Sequence, residues 1–397
     1  MVEVYIVAAR RTPIGNLNGK LSQLPAHKLG SLVIRACLID GNVGFDEVNE
    51  VIMGQVLTAG QGQNTARQAA IEAGLSIFVP AYVVNMLCGS GLKAICLAYQ
   101  AISNKDASII IAGGQESMSM AHHTAYMRNG VKFGDLHLKD SVLVDGLMDA
   151  FKHVHMGSTA EYLARSYKVS RELQDKFAAL SQNKAECAMN AGYFNDEMLH
   201  VSHPDNPAKE VKVDEYIRHG TTFEKLAKLR PVFESDLSKN PSVTAGNSSG
   251  INDGAAAVLL VDGETLKAKN LEPIAKIVGF AQCGIEPMEM GLGPIDAVKK
   301  LVKKINWTLE DVDLFEFNEA FAVQSLLVIE KLGVDVEKVN INGGAIALGH
   351  PIGCSGARIL VTLLHNLKRL DKSKGIAALC IGGGMGIAIA VERQVLI

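Results

Sequence analysis

The sequence predicts an α/β fold made of two duplicated β/α halves, with a long segment inserted between their parts. Three observations predict it. The chain is written twice, its strand-like runs are apolar without alternation, and a polar, irregular stretch interrupts the pattern in the middle. At 397 residues the chain is too long for one small core, so two or three structural units are expected. Hydrophobic residues make up 48% and charged residues 20%, an ordinary globular balance. A formal charge of −3 excludes the basic excess of a nucleic-acid binder, and no apolar run reaches the length of a membrane span.

The opening run MVEVYIVAARRTPIG reads as a strand. It has neither a charged leader before a long apolar segment nor an Arg- and Ser-rich character, and the chain does not end in Ser-Lys-Leu, so a cytoplasmic protein is expected. Next, FDEVNEVIMGQVLTAG (45–60) matches LEDVDLFEFNEAFAVQ (309–324), with Val48 facing Val312 and Gly54 facing Asn318. The stretch from Cys88 to Gly114 matches that from Gly353 to Gly384, pairing Ser90 with Ser355 and Gly113 with Gly382. The near-constant separation of these pairs implies duplication of a β/α unit. SGLKAICLAYQAIS is apolar on most sides, as a central helix would be. SIIIAGG and IAALCIGGG suit strands buried on both faces. Two such halves back to back would bury their helices between two sheets. From about Ser119 to Ser249 the text turns irregular, apart from an amphipathic helix with Ser170 at its N-cap, Glu172 in its first turn and Gly192 past its end. Strand character returns at INDGAAAVLLVDG (251–263). The units are therefore 1–118 with 250–270, the insertion 119–249, and 271–397.

Four segments carry candidate chemistry. In YVVNMLCGSGLKA (82–94), Cys88 stands where a strand ends and a helix begins. Alone it reads as a small core thiol. As a nucleophile it would face the free N–H groups and positive dipole end of the helix, which lower a thiol pKa. His350 in NGGAIALGHPIGCSG (342–356) sits on a tight loop before a helix, three residues from the counterpart of Cys88, and otherwise reads as a histidine satisfying a turn. Cys380 closes a buried strand ahead of three glycines, whose spacing fits neither a dinucleotide fingerprint nor a P-loop. Asn318 in FEFNEAFA follows a strand and would either cap the next helix or orient a water or carbonyl. The seven cysteines are scattered and form no CxxC pair, so no zinc site or disulfide framework is indicated. Two thiols, an imidazole and an amide on strand-end loops suggest a covalent step and a separate proton transfer.

At these residues the chain resembles the thiolase family. NMLCGSGLKA, VTAGNSSGINDGAAA, NEAFA, GGAIALGHPIGCSGAR and CIGGGMGIA each match a signature block, in order, and the match runs the length of the chain. The resemblance implies the thiolase fold, a five-layered αβαβα sandwich with an inserted loop domain for coenzyme A binding and oligomerisation. It implies the acetyl-CoA acetyltransferase (acetoacetyl-CoA thiolase) type, condensing two acetyl-CoA to acetoacetyl-CoA and CoA, with no cofactor and no metal. Cys88 would carry the acetyl group, His350 would take its proton, and Cys380 would be the acid/base of the second step. Asn318 would hold a water, and the N–H groups of Cys88 and Gly382 would form an oxyanion site. His155 and Met156 would flank the pantetheine and acyl end, Arg218 would lie near the adenine nucleotide, and Ser249 would bond the pantetheine. Leu147, Met290 and Phe321 would wall the acyl pocket, and a homotetramer would be the assembly. The rivals are a longer-chain 3-ketoacyl-CoA thiolase, a ketoacyl synthase, against which the second cysteine argues, and a non-catalytic acyl-CoA carrier.

Overall fold

The structure is a computed structural model that describes residues 2–203, 206–233 and 240–394. Its first half contains strands β1 (Val4–Arg11), β2 (Glu50–Gly54), β3 (Ala81–Val84), β4 (Ile109–Ser117) and β5 (Asn252–Asp262), with helices α1 (Ala26–Asp40), α2 (Thr65–Glu72) and α3 (Ser90–Ser103). The insertion carries α4 (Met156–Ser166) and α5 (Arg171–Asn190). The second half contains β6 (Ala275–Gly284), β7 (Leu314–Phe317), β8 (Lys374–Ile381) and β9 (Met385–Glu392), with α6 (Gly293–Ile305), α7 (Ala322–Leu332) and α8 (Ser355–Arg369).

The strands run in the order β7-β8-β9-β6-β1-β5-β4-β2-β3, and Gly15–Asn16 adds a short pairing on β5. Each half has the same plan. Parallel strands β2 and β4 in one, and β7 and β8 in the other, continue through antiparallel partners to β1 and β6. The halves were expected as two separate sheets. They are instead joined edge to edge at β1 and β6, but by two residue pairs only, Tyr5 with Lys276 and Ile6 with Ala275.

Side-chain alternation along the strands makes the layers. Ile110 and Ala112 of β4 and Leu379 and Ile381 of β8 meet α3 and α8 in one shared core. Ile109 and Ile111 face the other way, onto α1 and α2. Ile376 and Ala378 face away onto α6 and α7. Helix, sheet, helix pair, sheet, helix are the five layers of the αβαβα sandwich.

The duplication holds in the register. Glu50 faces Ile110 where Leu314 faces Gly375, and Ser90 and Ser355 are the first residues of α3 and α8. One expected pairing fails. Met53 faces Gly113 where Phe317 faces Ala378, so Ala378 and not Gly382 is the counterpart of Gly113. The two glycine runs do different work. A Cβ on Gly113 would lie 2.1 Å from Ala256 O on the next strand, whereas Gly383 and Gly384 turn the chain at φ +78 and +83.

Helices α3 and α8 touch at their N-terminal ends. A Cβ on Gly91 would lie 2.9 Å from Ala357 N, and one on its counterpart Gly356 would lie 2.4 Å from Leu92 N. The insertion docks through a buried ion-pair cluster: Arg11 of β1 binds Glu197 at 2.6 Å and Asp214 at 2.7 Å. Helix α5 starts as expected, with Ser170 Oγ accepting Leu173 N–H, and Gly192 follows its end at φ +72.

Candidate active site

Cys88 sits in the tight turn between β3 and α3. Leu87 takes φ +48, a left-handed conformation that an L side chain adopts only where its surroundings impose it. Ser90 straps the turn: its Oγ accepts Met86 N–H at 2.8 Å and donates to Leu87 O at 2.6 Å. The thiol thus stands at the N-terminal end of α3, as expected. The expected depression of its pKa does not follow. Burial pushes the thiol up to about 11, outweighing the lowering by N–H donors of Gly382 and of Cys88 itself, and Glu116 adds to the rise. At neutral pH the group is a thiol that needs a base.

His350 follows Gly349, whose φ of +105 and lack of a Cβ let the chain pass Asn252. Asn252 Oδ1 accepts His350 N–H at 2.9 Å. On the ring, Nδ1 lies 2.5 Å from Ser355 Oγ, which also lies 2.8 Å from Pro351 O. One hydroxyl proton between two acceptors serves either tautomer. Turned to Pro351, the serine accepts Nδ1–H and leaves Nε2 as a base; turned to Nδ1, it leaves the ring proton on Nε2 as a donor. Burial, with the positive charge of Arg358, lowers the His350 pKa to about 3, so the ring is neutral at physiological pH.

Asn318 follows β7 and places Nδ2 3.5 Å from His350 Nε2. Its Oδ1 is buried with no partner among the described residues. The residue at the N-cap of α7 is Phe321, so Asn318 is not the helix cap. Cys380 lies near the end of β8, buried, and its pKa is raised above the ordinary thiol value by burial and then by Cys88.

One cavity of about 300 Å³ joins these groups. Cys88, His350, Cys380 and Gly382 line it, as do Leu147, His155, Met156, Ser249, Met290 and Phe321. Two expected residues do not. Asn318 reaches the site through His350. Arg218 is exposed and sits on the outside of the wall, its guanidinium 5.0 Å over the ring of Tyr216 and 3.4 Å from Ala245 O. The sequence reading missed Phe233 and Tyr216, which also line the cavity. His155 stacks on Phe233 at 4.7 Å, and Gly157 makes room, since a Cβ there would lie 2.3 Å from that ring. Phe233 has no motif around it to mark it. Ile352, also missed, lies inside the quoted His350 block. Among the described residues no group of three or more His, Cys, Asp or Glu is arranged to hold a metal, and no helix is long and apolar enough to cross a membrane.

A half-buried thiol at a helix start, a neutral imidazole and a second, buried thiol, on a duplicated five-layer α/β scaffold, define an acyltransferase of the covalent, thiol-dependent class. The chain belongs to the thiolase family: residues 4–264 match the thiolase N-terminal domain and residues 271–393 the thiolase C-terminal domain. It is 54% identical over 392 residues to the cytosolic acetyl-CoA acetyltransferase of Rattus norvegicus, covering 98% of each chain. It is 52% identical over 397 residues to the acetyl-CoA acetyltransferase of Cupriavidus necator, covering 99% of this chain and 100% of the relative. Among solved structures it is similar to the Bacillus anthracis acetyl-CoA acetyltransferase, with TM-score 0.95, 42% identity and 99% of each chain covered. Human mitochondrial 3-ketoacyl-CoA thiolase in complex with CoA gives TM-score 0.94 and 42% identity over 99% of this chain and 98% of that one.

Proposed function

We propose that this chain is an acetyl-CoA C-acetyltransferase that reversibly condenses two acetyl-CoA into acetoacetyl-CoA and free CoA. The observation that carries the reading is that both thiols and the neutral imidazole line one small cavity. In the first half-reaction Cys88 Sγ attacks the thioester carbonyl, and its proton passes to His350. The C–S bond to CoA breaks, and CoA leaves as the thiol with that proton, so Cys88 holds the acetyl group. In the second, His350, neutral again, takes the Cys380 proton, and the Cys380 thiolate removes a methyl proton from a second acetyl-CoA. The carbanion attacks the acetyl carbonyl, the C–S bond to Cys88 breaks, and His350 returns its proton to the Cys88 thiolate, which restores the starting state.

A thioester α-proton is a very weak acid, so the enolate oxygen must meet donors already in place. A water held on Asn318 Oδ1, together with His350 Nε2, fills that role, and the unpartnered Oδ1 supports it. The N–H groups of Cys88 and Gly382 form the oxyanion site for the acetyl-Cys88 carbonyl; the Gly382 N–H already points to the Cys88 thiol. Met156, Met290, Phe321 and Leu147 wall the acyl end, Ser249 and His155 meet the pantetheine, and Arg218, outside the wall, lies toward the nucleotide. The apolar side chains exposed on the insertion, among them Tyr126, Phe133 and Phe151, support assembly into a homotetramer. A cytoplasmic site of action is the reading that goes with it.

Labelled acetyl-CoA followed by mass spectrometry tests the covalent step: one acetyl group on Cys88 is expected, and its absence would favour a carrier. The second reading, a longer-chain 3-ketoacyl-CoA thiolase, is supported by the similarity to the human enzyme. Preferred turnover of 3-ketohexadecanoyl-CoA over acetoacetyl-CoA would select it.

A further inference from the structure

The first half carries a buried carboxylate beside the site to which the chemistry above gives no task. By the strand register, Gln115 of β4 is the counterpart of Cys380, and Glu116 follows it. Its side chain is fully buried. Oε2 accepts Gly353 N–H at 2.9 Å and Val56 N–H at 3.1 Å, and Oε1 accepts Leu57 N–H at 3.2 Å.

These donors come from both halves. Gly353 lies three residues after His350, on the loop that carries it. Val56 and Leu57 follow β2 and form one apolar cluster with Ile352, against which Leu87 and Cys88 pack. A Cβ on Gly353 would lie 2.6 Å from Glu116 Oε2, so the loop comes this close only as glycine. We propose that Glu116 is a positioning residue that locks the loop supporting Cys88 to the loop bearing His350, and so sets the thiol–imidazole geometry of the acetyl-transfer step. The inference rests on the function proposed above and deepens it.

An ionised carboxylate offers charged acceptors to all three N–H groups; protonation turns one oxygen into a hydroxyl and removes the charge, so these bonds weaken. The titratable groups that face Glu116 are Asp253 on β5, Cys88 and, at the start of α8, Cys354, none of them a cation. Burial therefore raises the Glu116 pKa to about 7. Above that value the clamp is closed, and as pH falls through it the clamp loosens.

The test compares Cys88 acetylation by acetyl-CoA in the unaltered protein and in Glu116→Gln at pH 6 and pH 8. The variant is expected to lose about 10- to 100-fold in acetylation rate at pH 8, the scale for a catalytic group misplaced by up to ~1 Å. It should also lose the fall in rate between pH 8 and pH 6, while Glu116→Asp restores that fall. An unchanged rate and pH profile in Glu116→Gln overturns the inference. Absence of acetylation in the unaltered protein counts instead against the proposed function. Hydrogen exchange on the unaltered protein, corrected for intrinsic pH dependence, needs no variant. Protection at Leu57 and Gly353 should fall together below about pH 7, and pH-independent protection overturns the inference whether or not the variants fold.

Discussion

Cys88 and Cys380 are the same chemical group in different surroundings. Cys88 receives the Gly382 N–H, whereas for Cys380 the largest influences are burial and the neighbouring Cys88, both of which raise its pKa. A thiol that is harder to ionise is a stronger base once ionised, which suits Cys380 to carbon-acid chemistry. Cys380→Ser is therefore expected to acetylate Cys88 normally while losing about 10²–10⁴-fold in condensation, read by separate assays of the two half-reactions. A loss of acetylation in this variant would refute the division of roles. His350 makes a second prediction. Its folded pKa of about 3 lies below the ordinary histidine value of 6.5, so in this interval the unfolded chain binds the proton and the folded chain does not. Its contribution to stability is complete above pH 6.5 and is lost as pH falls toward 3. At pH 5 the loss amounts to roughly 2 kcal/mol at most. Replacing His350 by Asn removes this loss, so the Tm difference between wild type and variant should shift in the variant's favour from pH 7 to pH 5. A constant difference would show that the ring is not held neutral.

At the scale of elements, the site depends on how closely two helices start beside each other. Gly91 and Gly356, related by the duplication, allow the N-terminal ends of α3 and α8 to meet backbone to backbone. That contact keeps the Cys88 turn and the His350 loop together, since each loop leads directly into one of the helices. Gly356→Ala places a methyl 2.4 Å from Leu92 N, and the neighbour is backbone that cannot rotate away. It is expected to destabilise by about 1–3 kcal/mol, the range for overpacking, and to lower acetylation further than the loss of folded protein explains. Denaturant unfolding alongside acetylation per folded molecule checks this. Full specific activity would mean that the helix contact does not set the site.

Across the whole molecule, the insertion is held to the duplicated core by charge as well as by apolar packing. Arg11 of β1 is fully buried between Glu197 and Asp214 of the insertion, and Asp214 also accepts the N–H of Ile14. Glu197 is further tied to Thr362 of α8 at 3.0 Å. Arg11→Ala leaves two buried carboxylates without their cation, expected to cost about 3–5 kcal/mol. Because insertion residues such as His155, Met156 and Leu147 wall the cavity, the same change should weaken CoA-thioester binding more than it slows Cys88 alkylation. Thermal unfolding measures the first effect, and a titration with CoA set beside the rate of Cys88 alkylation measures the second.

The duplicated α/β plan, the insertion, the Ser170 cap and the candidates Cys88, Asn318, His350 and Cys380 are legible in the sequence alone. These are written in local patterns: runs of apolar residues, turn glycines and recurring motifs, each the product of forces acting over a few residues. It misplaced the partner of Gly113, because glycine runs look alike while strand register depends on pairing with a distant strand. The protonation of the site depends on the folded surroundings. The sequence puts Cys88 at a helix start, which favours the thiolate, but burial against residues from the other half reverses the sign. Phe233 and Glu116 became legible only through what they touch. Desolvation and hydrogen bonding are sums over neighbours that the chain brings together from hundreds of residues apart, and no local pattern encodes that sum.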